Sequence, residues 1–193
     1  MTMKIMKSTL DDTQSIMQLY QFAIQLQKEK NAVPWGEISK AQIEEEIQEG
    51  RQYKLMVNDE IASIWVYTYS DPEIWQEKNR DSAIYIHRIA TNPKFRGQNR
   101  VGNLFAFTEK YAKENHYKLM RLDTAGWNQG LIKLYTNNGF RFLGTTKIKD
   151  TRNLPSHYKN VDVCLFERKI KHNFLERFLS KTICGAKDLA RFR

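Results

Sequence analysis

Cysteine is scarce in this chain: Cys164 and Cys184 are the only two among 193 residues, and their spacing suits no metal site. That excludes a disulfide-rich scaffold and a cysteine-built metal centre. Two thiols could pair, but nothing else points to an oxidising compartment, so both are expected in the reduced state. Long apolar runs are missing as well. None approaches the ~18 residues that a bilayer-spanning helix needs. Residues 1–10 alternate in polarity and hold no apolar signal core, so secretion is not expected and the cytoplasm is the expected compartment. There is no internal repeat and no low-complexity tract. No metal is expected.

What is present is the composition of a folded soluble domain, with 41% hydrophobic and 27% charged residues. The length fits one domain and an appendage. The net charge of +9 is unevenly spread: between Arg168 and Arg193 eight Lys or Arg face only Glu176 and Asp188, leaving +3 for the rest. Nucleic acid is therefore not an expected partner of the body, although a basic pI would ordinarily raise it. In the tail Phe174, Leu175, Phe178, Leu179, Ile183, Ala186, Leu189 and Phe192 recur every three to four residues between basic side chains. Such an amphipathic helix over 169–193 packs on the body, pairs in a homodimer, or lies weakly on an anionic membrane surface through residues 170–193.

Along the body, Lys4 to Ser8 reads as a strand, Ser15 to about Lys30 as a helix, and Ser39 to Gln48 as a second helix closed by Gly50. Residues 53–57 and 61–69 flank a polar Asn58-Asp59-Glu60 turn and read as a hairpin. Asp71 to Asp81 reads as a polar loop. Ala83 to Thr91 is the next strand, ended at Asn92-Pro93, and Val101 to Asn115 is strongly helical. Leu119 to Thr124, Phe140 to Ile148 and Val161 to Arg168 complete the strands, with a helix over 128–138 ended by Gly139. Alternating strands and helices predict an α/β domain over residues 1–168 with a mixed central sheet flanked by helices. Trp65 and Tyr67 are expected on opposite faces of that sheet.

The stretch from Tyr85 to Leu104 combines a strand, a Pro-terminated end, a basic Gly-bearing turn and a helix start. Free backbone N–H groups at such a helix end make an anion site, and Lys94, Arg96 and Arg100 add positive charge around it. A diphosphate is the fitting guest.

This stretch resembles the acyl-CoA-binding motif of the GNAT superfamily: Arg or Gln, two variable residues, Gly, one variable residue, then Gly or Ala. Arg96 takes the first place, Asn99 stands where the middle Gly is usual, and Val101 where the last Gly or Ala is usual. Asn tolerates positive φ; Val brings a side chain toward the phosphates. A second block, from Leu122 through Asn128 to Tyr135 and Gly139-Phe140, resembles the downstream half of the same superfamily. The resemblance covers about residues 1–168. It implies an N-acetyltransferase that moves acetyl from acetyl-CoA to a primary amine, small molecule or peptide, by direct attack in a ternary complex. The alternative, raised by Asn99 and Val101, is a catalytically weak acyl-CoA-binding module.

The implied cofactor-binding residues are Ile89, Ala90, Thr91, Arg96, Gly97, Gln98, Asn99, Arg100, Val101, Gly102, Asn128 and Tyr135. The diphosphate is expected at the start of the helix from Val101, and the pantetheine arm along Ile89 to Thr91. The implied catalytic residues are Tyr135, as proton donor to the departing thiolate, and His87 or Asp123 as base, with His87 first. Read without the family, Tyr135 is equally a core aromatic, Asn128 a helix N-cap, His87 a packed strand histidine and Asp123 a carboxylate structuring its turn. Trp35, Trp65, Tyr67, Trp75, Trp127 and Tyr158 are candidates for the acceptor pocket. No acidic cluster in the sequence marks a polyamine site.

Overall fold

A computed structural model describes residues 2–148, 150–152 and 154–171. The amphipathic segment expected over 169–193 therefore lies, from residue 172 on, outside the described residues, and so does Cys184.

The elements run β1 (Met3–Lys7), α1 (Thr13–Glu29), α2 (Lys40–Gln48), β2 (Gln52–Val57), β3 (Glu60–Thr68), α3 (Pro72–Trp75), β4 (Ala83–Thr91), α4 (Arg100–Glu114), β5 (Leu119–Ala125), α5 (Gln129–Asn137), β6 (Arg141–Lys147) and β7 (Asp162–Lys169). Local chemistry accounts for several boundaries. The Ser39 side chain accepts from Gln42 N at 3.1 Å and starts α2. Asn128 does the same for α5, accepting from Leu131 N at 3.0 Å. Gly139, at φ 81°, takes the left-handed turn that ends α5.

The strands form one seven-stranded mixed sheet in the order β1-β2-β3-β4-β5-β7-β6. Every neighbouring pair is antiparallel except β4 and β5. That parallel pair is short, covering only Ala83↔Leu119 to Tyr85↔Arg121. Side chains alternate along each strand, so the sheet has two covered faces. On one face Ile84, Ile86, Met120, Leu122, Cys164 and Phe166 pack against Leu104 and Phe105 of α4 and Ile132 and Tyr135 of α5. On the other, Ile64 and Ala90 meet Ile16 and Tyr20 of α1 and Ile43 of α2, while Tyr85, Val163 and Leu165 meet Ile74 and Trp75 of α3.

Three expectations need correction. Trp65 and Tyr67 lie on the same face, both beside Tyr53, because residues two apart on a strand point the same way. The segment from Asp71 to Asp81 is not merely a polar loop: it opens with α3 and buries Ile74 and Trp75. What holds it down is Arg121, a charged side chain with no signal in the strand pattern. Its guanidinium is 4.6 Å from the Trp75 ring and bonds Lys78 O at 2.6 Å, Asp81 at 2.5 Å and Glu167 at 2.8 Å. Third, Lys94 and Arg100 are not spare charges at the start of α4. Lys94 pairs with Glu60, and Arg100 is buried beside Phe95, bonded to Gln98.

Arg121 is 1% exposed, and removing it leaves the buried Glu167 carboxylate with only a 3.4 Å contact to the exposed Arg141 side chain. Arg121→Met is expected to lower unfolding free energy by about 3–5 kcal/mol in urea titrations, with Arg121→Met/Glu167→Leu recovering much of it. A loss under ~1 kcal/mol in the single variant would contradict this role for the pair.

Candidate active site

Past Tyr85 and Arg121 the two parallel strands separate, and the gap between them is part of a cavity of about 660 Å³. The β4 wall of that gap is irregular for a definite reason. Val66 pairs with His87 and Ile64 with Ala90, so three steps on β4 oppose two on β3. The extra residue is Arg88, at φ 50°. By simple alternation Arg88 would follow Ile84 and Ile86 toward α4. The bulge turns it over instead, onto the Tyr20 ring at 5.4 Å and into an ion pair with buried Glu46. His87 and Arg88 thus both serve the α1–α2 side, while Ile89 returns to the α4 side.

His87 is the centre of the polar cluster. Its Nε2 lies 3.1 Å from Thr68 Oγ1 and 3.5 Å from Asp71 Oδ2, and its Nδ1 lies 3.8 Å from Asp123 Oδ1. The other oxygen of Asp123 accepts from Tyr158 at 2.7 Å, bringing the loop between β6 and β7 onto β5. Asp71 Oδ2 and Asp123 Oδ1 are buried and have no hydrogen-bond partner.

Burial acts on each of these groups. It pushes Asp123 up to about 6, against the hydrogen bond from Tyr158. It pushes Asp71 up to about 8, with the charges of Asp123 and Glu73 adding to the rise. It brings His87 down to about 4, helped by Arg88 and Arg51. Near neutral pH Asp123 is therefore ionised, Asp71 protonated and His87 uncharged. Across the gap, burial and then the charge of Asp123 raise Tyr135 above the usual phenol range, so its proton stays on.

Of the residues singled out in the sequence, His87, Ile89, Ala90, Thr91, Arg96, Val101, Asp123, Asn128 and Tyr135 line this one cavity. Gly97, Gln98, Asn99, Arg100 and Gly102 do not. Asn99 adopts the left-handed conformation, φ 51°, in place of the usual Gly. Its side chain makes no cap bond to the start of α4. It folds over Gly102 instead, where an added Cβ would stand 2.8 Å from Asn99 Nδ2. Among the aromatics proposed for the acceptor pocket, Trp35 and Tyr158 reach the cavity. Trp65, Tyr67 and Trp75 are core, and Trp127 is 66% exposed.

Asp71, Thr68, Glu46, Arg88 and His157 also line the cavity, and spacing alone points to none of them. The nearest signal is Asp71-Pro72, a helix-start dipeptide, which places a turn without hinting at a site. The acidic cluster absent from the sequence exists in space. Glu37, Glu46, Asp71, Glu73 and Asp123 come from separate segments to line the one cavity, with Asp71 and Asp123 meeting at His87.

Comparison with known proteins agrees with the fold. An uncharacterized N-acetyltransferase of Bacillus subtilis (strain 168), YesJ, is 22% identical over 142 residues, 69% of this chain and 79% of its own. The crystal structure of a GNAT-family acetyltransferase from Listeria monocytogenes 4b F2365 superposes with a TM-score of 0.70 at 20% identity, over 86% of this chain and 94% of that one. The PaiA N-acetyltransferase of Thermoplasma acidophilum, solved in complex with coenzyme A, gives a TM-score of 0.66 at 14% identity, over 88% and 99%. The model of the Acetyltransferase (GNAT) family matches residues 18–140, well over half the chain, and on that match the protein belongs to the GNAT acetyltransferase family.

Proposed function

We propose that the protein transfers acetyl from acetyl-CoA to a primary amine by direct attack within a ternary complex. One observation carries the reading: the gap between β4 and β5 joins a carboxylate base on one face of the sheet to a protonated phenol on the other. A thioester carbonyl held in the gap meets its nucleophile from the Asp123 side and its proton donor from the Tyr135 side.

The residues present fit the donor. Beyond Tyr85 the β4 backbone has no partner on its β5 side, so the segment from Ile89 to Thr91 is free to pair with a pantetheine amide chain. The positive end of α4, where Asn99 makes no side-chain cap bond, lies next to Arg96 and suits a diphosphate. Acetyl-CoA supplies the activated acyl group; the chain supplies position and protons.

As the amine nitrogen bonds the carbonyl carbon and the C–S bond breaks, Asp123 accepts the nitrogen's proton and Tyr135 gives its own to the sulfur. Asp123 is preferred to His87 as base because its pKa of about 6 lies near working pH, whereas His87 at about 4 is the weaker acceptor. His87 then spaces the two carboxylates.

Tyr135→Phe is expected to lower kcat about 10²-fold, the low end for loss of a general acid, with acetyl-CoA affinity little changed. Thiol release under chemistry-limited conditions measures it, and an unchanged kcat would remove the role.

The pH profile separates the two bases. Only ionised Asp123 can accept a proton, so kcat at saturating amine should rise with pH through about 6 and level above it. Asp123→Asn should abolish that limb, and His87→Gln should keep it. If the limb instead survives in the Asn variant and disappears in the Gln variant, His87 is the base.

A further inference from the structure

The acceptor end of the cavity is roofed by two loops tied to one another. From α1, the Gln27 side chain accepts from Trp35 N at 2.9 Å, and the Trp35 ring lies edge-on to Tyr20 at 6.1 Å. Gly36 N–H then donates to His157 Nδ1 at 3.3 Å, crossing to the loop between β6 and β7. The contact is close: a Cβ on Gly36 would stand 3.3 Å from Ser156 Oγ. His157 stacks at 4.3 Å on Tyr158, whose hydroxyl holds Asp123. At the other end of the same loop, Val33 packs so tightly on Gly126 that a Cβ there would meet it at 2.7 Å. A continuous line of contacts therefore crosses the site from α1 to β5.

Around His87 the side chains are acidic: Asp71 and Asp123 flank it, and Glu46 neutralises the nearby buried Arg88. Asp71 Oδ2 and Asp123 Oδ1, on either side of His87, are left without hydrogen bonds. Asp123 is ionised here, and Asp71, protonated on its own, gives up its proton when a cation settles beside it; an alkylamine arrives as one.

Resting on the acetyl-transfer reading above, we propose that the acceptor is a compact alkylamine, bound first as its ammonium ion under the roof with Asp71 as a substrate-binding carboxylate beside Asp123, releasing one proton to solvent before the neutral nitrogen attacks, and that polypeptides are excluded. A cavity of about 660 Å³ must also hold the acyl end of the donor, and what remains beneath the Gly36–His157 contact is the size of a small molecule. Burial and the charge of Arg88 keep His157 down to about 4, so its Nδ1 remains an acceptor for Gly36 and the roof stays latched at neutral pH.

The experiment compares thiol release by the wild-type protein with acetyl-CoA and three acceptor groups at equal concentration: alkylamines and diamines of two to six carbons, free α-amino acids, and hexapeptides with a free N-terminus or a lysine. The expected result is a kcat/KM for the best alkylamine at least ~100-fold above any hexapeptide or amino acid, on the scale of losing one charge-assisted contact or meeting a clash. Asp71→Asn should raise amine KM by roughly 10- to 100-fold while acetyl-CoA KM stays within about twofold. His157→Ala, which opens the latch, should raise hexapeptide turnover relative to alkylamine turnover. Hexapeptide turnover matching the alkylamines, or an amine KM untouched in the Asp71 variant, overturns the proposal and leaves acetyl transfer standing. No thiol release with any amine overturns acetyl transfer itself. Activity lost to a chelator and restored by a divalent ion would put a metal, not an ammonium, between the carboxylates.

Discussion

Everything functional in this molecule depends on the parallel pairing of β4 and β5 stopping after three residue pairs. A parallel pair inside an otherwise antiparallel sheet is the place where two strands can part without a hairpin holding them together. Past the last pair, Tyr85 with Arg121, β4 follows its bulged pairing to β3 while β5 follows its regular antiparallel pairing to β7. The two strands are steered by different neighbours, so the gap follows from sheet topology and needs no loop to prop it open. A backbone edge left unpaired in the interior would ordinarily be a liability. Here it is the donor-binding surface that the proposed function requires.

Two kinds of buried ion surround the gap, and they differ in how well they are satisfied. Arg121 bonds Glu167, Asp81 and a carbonyl and stacks on Trp75, so its role is to hold the segment from Asp71 onward against the sheet. Asp71 and Asp123, on either side of His87, each keep a buried oxygen without a hydrogen bond. A saturated network gives rigidity; an unsaturated one stores an unmet demand for charge. The first positions the second, because Asp71 stands at the head of the segment that Arg121 pins.

The elements most legible in the sequence are those governed by local chemistry. Ser39 and Asn128 cap their helices, Asn92-Pro93 ends β4, and the alternation of 83–91 marks a strand whose limits match the structure. Part of the cavity lining was legible too: His87, Ile89 to Thr91, Arg96, Asp123, Asn128 and Tyr135 all reach it. What was hidden depends on pairing at a distance. Nothing in Tyr85-Ile86-His87-Arg88 reveals that β4 carries one residue more than β3 opposite it, yet that extra residue turns Arg88 toward Glu46. Asp71 reads as a loop aspartate until Arg121 and Trp75 fold its segment down. Charges at 94 and 100 look available for an anion because the sequence does not show Glu60 or the pocket around Phe95.

The placement of acid and base on opposite faces also bears on why so much titratable chemistry can share one small volume. If Tyr135 and Asp123 lay on one face, the carboxylate would accept directly from the phenol, lowering its own pKa and engaging the proton meant for sulfur. In the structure Tyr158 makes that bond from the roof instead, and Tyr135 comes from α5 on the far side of the sheet. Asp123 is thus oriented by a phenol that is not the proposed acid, and its second oxygen remains open toward the cavity's own cluster. The same hydroxyl that orients Asp123 also ties the loop between β6 and β7 to β5, so covering the cavity and orienting the proposed base rest on one hydrogen bond.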